Sequence, residues 1–133
     1  MILKTTFAAL LASLAASATA YGQPAAPQAD RHSCFLSTQF QGWKAPDAKT
    51  IYIRVLPNRY FRLDLEGECT LLRFPDSHLV TVWRGSNYVC RPIDWDLRVS
   101  TTPREGPAEP CIVKSMTELT PAEVQAIPPR FKP

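Results

Sequence analysis

Four cysteines, Cys34, Cys69, Cys90 and Cys111, are the residues of this chain best suited to chemistry. They could form disulfides, cycle as redox thiols or hold a metal. A redox pair favours C-x-x-C, and structural zinc favours two close pairs. Here every interval between successive cysteines exceeds twenty positions, which suits neither. An even count behind an export signal instead points to two disulfides. Four cysteines allow three connectivities. Cys34–Cys111 with Cys69–Cys90 is favoured, because it ties the first structured residues to the last strand and one hairpin to the next. Cys34–Cys69 with Cys90–Cys111 is the close rival.

The other reactive residue types are sparse. The only histidines are His32 and His78. Ser77 and His78 are neighbours in sequence, which is no sign of a triad, and no G-x-S-x-G elbow accompanies them. Asp94 and Asp96 would project from one face of a strand about 7 Å apart, and Asp64 and Glu66 would do so on another. Such pairs could serve glycoside hydrolysis or calcium binding. No calcium-loop spacing is present, and alternation with Ile93, Trp95 and Leu97 makes Asp94 and Asp96 a solvated face. The expectation is a chain with no catalytic set, no metal and no cofactor.

Basic and aromatic residues offer more. Arg54 and Arg62 fall on the outer face of a hairpin, with Tyr52 and Tyr60 nearby, and the register expected below sets the two arginines opposite one another. Like charges so placed destabilise a sheet unless Asp64 or a bound anion compensates. Trp83, Arg84 and Tyr88, with Arg91, gather around a second turn, and Trp, Tyr and Arg are enriched at interface hot spots. These two groups are the candidate binding surfaces, and Trp83 fits a core position equally well.

Several elements must position these residues. Lys4, the apolar run from Phe7 to Ala16 and the Ala18-Thr19-Ala20 site read as a signal peptide over residues 1–20, cleaved near Ala20. The apolar run is too short for a membrane span. Residues 21–33, rich in Ala, Pro and Gln, read as a disordered leader. Removing residues 1–20 from 133 leaves 113, enough for one small domain, expected over residues 34–127 with a tail at 128–133. The net charge of +3 and scattered basic residues argue against nucleic acid.

Within the domain, Thr50 to Leu56 and Tyr60 to Leu65 alternate. A loop of Pro57-Asn58-Arg59 would pair Val55 with Phe61, Ile53 with Leu63 and Ile51 with Leu65, placing every apolar side chain on one side. Leu79 to Arg84, Tyr88 to Cys90, Ile93 to Val99 and Cys111 to Met116 read as further strands, with Gly85-Ser86-Asn87 as a turn. Thr120-Pro121-Ala122-Glu123 is a helix start: an N-cap, a proline at the first helical position and a glutamate that completes a capping box. The expected fold is all-β. It is a small antiparallel barrel or sandwich of five to six short strands with one C-terminal helix, stapled by disulfides.

The ordered set of Cys34-Phe35, Gly42-Trp43 to Asp47, Tyr60-Phe61-Arg62-Leu63, Cys69, Val89-Cys90, Cys111-x-Val113 and Leu119-Thr120-Pro121-Ala122-Glu123 carries a resemblance. Together these motifs resemble a family of small four-cysteine exported proteins of Gram-negative bacteria, a domain of unknown function. The stretch from Phe74 to His78 is less apolar than the family pattern. The resemblance implies export and a compact β-rich domain, and no activity. The functional expectation is therefore an exported, periplasmic or secreted module that binds an envelope protein or an anionic cell-wall component without catalysis. An inhibitor of a cell-wall hydrolase is the alternative, and a small hydrolase ranks last.

Overall fold

A computed structural model describes residues 34–83, 85–102 and 107–133, without the side chain of Trp83. The expected signal peptide and leader, with His32, lie outside the described residues. So does Arg84.

Nine short strands are described: β1 Phe35–Leu36, β2 Phe40–Lys44, β3 Thr50–Val55, β4 Arg59–Leu65, β5 His78–Trp83, β6 Tyr88–Val89, β7 Trp95–Ser100, β8 Glu109–Pro110 and β9 Val113–Glu118. They form a four-stranded sheet in the order β2-β3-β4-β9, a three-stranded sheet β5-β7-β8 and a two-stranded ribbon β1-β6. All pairings are antiparallel. Among the described residues no sheet closes on itself, so the all-β expectation resolves to a sandwich-like arrangement. The excess over five to six strands comes mainly from β1, β2 and β8. In β2 (FQGWK) the alternation is broken by a register shift between Phe40 and Gly42.

Period-two alternation builds the core. Ile51, Ile53 and Val55 of β3 and Phe61, Leu63 and Leu65 of β4 are buried, and they meet Trp95, Leu97 and Val99 of β7 in one apolar cluster. Phe35 packs its ring 5.1 Å from Phe61 and 6.0 Å from Trp95, joining the small ribbon to both larger sheets.

The hairpin register differs from the expected one. Ile53 pairs with Phe61, Ile51 with Leu63 and Val55 with Arg59, so the loop is Leu56-Pro57-Asn58. The shift is two positions, which preserves both faces but changes every cross-strand partner. Arg54 therefore stands opposite Tyr60, and Arg62 opposite Tyr52; the expected Arg54–Arg62 opposition does not occur.

Cysteine pairing also departs from both favoured schemes. The bonds are Cys34–Cys90 and Cys69–Cys111. The first follows from strand pairing: Phe35 sits opposite Val89, so the preceding and following cysteines meet at a Cα–Cα distance of 4.2 Å. The second staples the 3-10 turn Thr70–Arg73 to the segment between β8 and β9. There Cys69 N–H donates to Ala48 O, and Cys111 N–H donates to Leu97 O.

Ile93 and Asp94 leave the strand in which alternation placed them. They belong to a 3-10 turn, Pro92–Asp94, and Ile93 is 72% exposed. Asp94 caps this turn by accepting from the backbone N–H groups of Cys90 and Arg91. Burial opposes ionisation of its carboxyl, but those two donors and the Arg91 guanidinium hold it below the ordinary aspartate value.

The helix α1, Pro121–Ala126, begins as expected. Glu123 N–H donates to the Thr120 hydroxyl oxygen, and Thr120 N–H donates to the Glu123 carboxylate. Ile127 after the helix is buried, and Pro129–Phe131 forms a further 3-10 turn in the segment read as a tail.

Candidate functional site

The four-stranded sheet has one face in the core and one turned outward. Its outer face follows from the register. Gly42 and Lys44 of β2 lie opposite Arg54 and Tyr52 of β3. Tyr60 and Arg62 of β4 lie on the far side of the same two residues, and Thr117 and Ser115 of β9 lie beyond Arg62 and Asp64. Three cations, Lys44, Arg54 and Arg62, thus share a surface with two tyrosines and one carboxylate.

The carboxylate is already engaged. Arg62 Nε donates to Asp64 Oδ1 at 2.8 Å, and the Ser115 hydroxyl donates to Asp64 Oδ2 at 3.0 Å. Asp64 compensates Arg62 within its own strand. Arg59, Arg91 and Arg98 are satisfied similarly, while Arg73 and Arg130 have no carboxylate partner among the described residues. Arg59 is bidentate to Glu118 at 2.7 and 2.8 Å and also donates to Cys34 O. Its hydrogen bonds to Glu118 raise the Arg59 pKa above the ordinary value, against the opposing effect of burial. Arg91 pairs with Asp94, and Arg98 with Asp96.

Arg54 differs. Its Nε is buried and has no hydrogen-bond partner among the described residues. A buried donor left unmade costs about 1–3 kcal/mol, so its persistence asks for an explanation. The neighbouring position across the sheet is Gly42, and a Cβ placed there would meet nothing within 4 Å. The surface beside Arg54 is thus open rather than filled, and exposed Lys44 stands one diagonal step away. A guanidinium with unused donors, a second cation and two phenol rings can grip an anionic group.

Among the described residues, three concavities flank this core. A groove of about 390 Å³ runs between the outer face and α1, lined by Tyr52, Arg62, Asp64 and Thr117 on one side and by Glu123 and Ile127 on the other. A second, of about 400 Å³, lies by β7 and the segment after β8, where Ile93 and Ile112 are exposed. A third, of about 270 Å³, opens at the end of β2 between Trp43, Lys44 and the loop that carries Phe74.

Of Trp83, Arg84 and Tyr88 in the second candidate surface, only Tyr88 is fully described. Tyr88 is exposed on β6, which pairs with β1, whereas Trp83 ends β5 opposite Trp95. The Trp83 side chain and Arg84 lie outside the described residues. Ser77 and His78 do not bond to one another: the Ser77 hydroxyl donates to Leu71 O and Phe74 O, and His78 Nδ1 lies 3.5 Å from Asp76 O.

Cys69, Glu109 and Cys111 bring three potential ligand atoms within 4.8 Å. Both sulfurs are spent in one disulfide, and the Glu109 carboxylate accepts from Thr70 Oγ1 and Leu71 N. The cluster is a stapled turn. The outer face also holds Gly42 and Lys44, which the sequence did not single out as site residues. Gly42-Trp43 stood only among the motifs of the resemblance, and pairing with β3 shows that this stretch is a strand.

No helix of the described residues is long and apolar enough to cross a membrane. No curated protein and no solved structure matches the chain. A model of a family of unknown function, DUF6491, matches residues 1–128 and so takes in all four cysteines, the whole outer sheet face and α1. By that match the chain belongs to the family of unknown function DUF6491.

Proposed function

We propose that this protein is an exported, non-catalytic binding module of the Gram-negative cell envelope, periplasmic after removal of residues 1–20, that holds an anionic group on the outer face of its four-stranded sheet. The observation that carries the reading is Arg54: a buried Nε with no acceptor among the described residues, beside the opening at Gly42. An incoming carboxylate or phosphate supplies acceptors for the guanidinium, and Lys44 adds a second charge. Tyr52 and Tyr60 supply rigid contact area with polar tips. Two disulfides suit an oxidising compartment. Ser77, Asp64, Asp94 and Glu109 are each tied to backbone or to a neighbouring side chain, which favours binding over turnover.

Cosedimentation of the purified, oxidised protein with isolated cell-wall sacculi tests the proposal. Binding is expected to fall severalfold in Arg54→Gln and to weaken as salt rises. Retention that is equal in native protein and Arg54→Gln and indifferent to salt would overturn it.

A further inference from the structure

A strand at the rim of a sheet carries unpaired backbone N–H and C=O groups, and folded proteins guard such edges with bulges, lysines, prolines or very short strands. Most rim strands of this fold are guarded. β2 has an extra residue, Gln41, between its pairs Phe40–Val55 and Gly42–Arg54, and it ends in Lys44. β9 has Lys114 as an extra residue between the pairs Val113–Leu65 and Ser115–Asp64. β1, β6 and β8 are two residues long, and β8 ends in Pro110. β5, at the rim of the three-stranded sheet, has none of these devices. It runs six residues, His78–Trp83, pairs with β7 in one unbroken register, and contains no Lys, Arg, Asp, Glu, Pro or Gly.

The direction of the open groups follows from the pairing. Leu97 O accepts from Cys111 N–H, so the polar groups of Leu97 turn toward the β8 side of β7. Thr81, its partner across the sheet, is then in a pair without mutual hydrogen bonds, and its own N–H and C=O turn the opposite way, to the rim. Leu79 and Trp83, two positions to either side, repeat that direction. Among the described residues no strand lies beyond them. The side chains between, Val80 and Val82, are exposed on the outward face of this sheet, where their cross-strand neighbours are the ion-paired Arg98 and Asp96.

A strand with these features is a template for another, and the occupant that matches it is a second copy of itself. Set antiparallel, with Thr81 opposite Thr81 of the copy, it forms the two-fold contact that closed dimers use. The rim groups of Leu79, Thr81 and Trp83 then make about six hydrogen bonds between the chains. Val80 of each copy falls opposite Val82 of the other, the two threonines share one cross-strand pair, and no charges within β5 oppose one another. We propose that β5 is a self-association edge, through which two copies of this chain join their three-stranded sheets into one continuous antiparallel sheet. A strand-edge contact of this length covers less than the roughly 1,200 Å² of a standard interface, so association of about micromolar strength or weaker is expected. β5 belongs to a different sheet from Arg54, so self-association and anion binding stand or fall separately.

Sedimentation equilibrium of the oxidised, full mature protein, at concentrations up to about 1 mM, tests the edge. The native protein is expected to pass from monomer to dimer as concentration rises, and amide hydrogen exchange at Leu79 and Thr81 to slow with it. Val80→Lys/Val82→Lys sets like charges opposite one another at both valine pairs and is expected to stay monomeric. Val80→Glu/Val82→Lys removes the same two apolar side chains but sets opposite charges at those pairs. Within its own chain each new charge also faces its counter-charge, Arg98 or Asp96, and this variant is expected to dimerise. Both positions are exposed, and matching thermal melts in dilute solution check that the fold is kept. A native protein that is monomeric throughout, or a first double variant that dimerises as the native protein does, would overturn the proposal. Equal loss of dimer in both double variants would overturn it too, because the two-fold register is what separates them.

Discussion

Removing the two disulfides one at a time should destabilise the domain unequally, and in the order opposite to their loop lengths. Cys34–Cys90 spans 56 positions and Cys69–Cys111 spans 42. In the chain-entropy picture either constraint is worth about 4 kcal/mol, and the longer loop gains only about 0.3 kcal/mol over the shorter. The native state separates them more strongly. Cys69 and Cys111 are 2% and 4% exposed and belong to the main apolar cluster, whereas Cys34 is exposed and Cys90 half-buried. Replacing Cys69 and Cys111 by alanine therefore also deletes two packed sulfur atoms, worth together about 1–2 kcal/mol at methylene-like values. The Cys69→Ala/Cys111→Ala variant should lose about 5–6 kcal/mol, and Cys34→Ala/Cys90→Ala about 4 kcal/mol. Typical domains have about 5–15 kcal/mol in total, so the first variant sits near the limit of folding. Urea melts of both variants and the native protein, at equal m-values, measure the difference. Equal losses, or a larger loss for Cys34→Ala/Cys90→Ala, would refute the reasoning that burial outweighs loop length here.

The remaining predictions test connectivity, register and acid response. Proteolysis without reduction, followed by mass spectrometry, should yield linked peptides containing Cys34 with Cys90 and Cys69 with Cys111; alkylation of all four cysteines before reduction would remove the disulfides altogether. Ile53→Ala and Leu63→Ala, both fully buried, should each cost about 2–5 kcal/mol in denaturant melts, and Tyr52→Ala on the outer face clearly less. Asp94 is held below the ordinary aspartate value, so its stabilisation is complete above about pH 3.9 and is lost as pH falls through its lower folded value. Asp94→Asn should therefore show a flatter acid limb than the native protein when melts are repeated down through that range. Thr120→Ala should cost about 1 kcal/mol by removing the cap of α1, read in thermal melts.

What the sequence alone determined is what period and local chemistry can express. Alternation put Ile51, Ile53, Val55, Phe61, Leu63 and Leu65 on the buried face, as the structure has them, because side chains repeat every two positions along a strand; Arg59, read into the loop, belongs to β4. The Thr-Pro-Ala-Glu start located α1, because its capping box is closed within four residues. Cysteine count and spacing pointed to disulfides without showing which sulfurs meet.

Tertiary structure decided the rest, for the same physical reason. A two-residue slip leaves faces unchanged, so alternation could not distinguish Arg54 opposite Arg62 from Arg54 opposite Tyr60. Cysteine pairing depended on β1 meeting β6, a contact between two-residue strands too short to show any period. Ile93 and Asp94 fit the alternation of β7 but were taken into a turn once Pro92 opened it and Asp94 found two backbone donors. The candidate site is non-local in the same way. Nothing in the order of Gly42, Lys44 and Arg54 along the chain sets them together. A glycine across from an arginine whose Nε is buried, with Lys44 one diagonal step away, exists only once β2 pairs with β3.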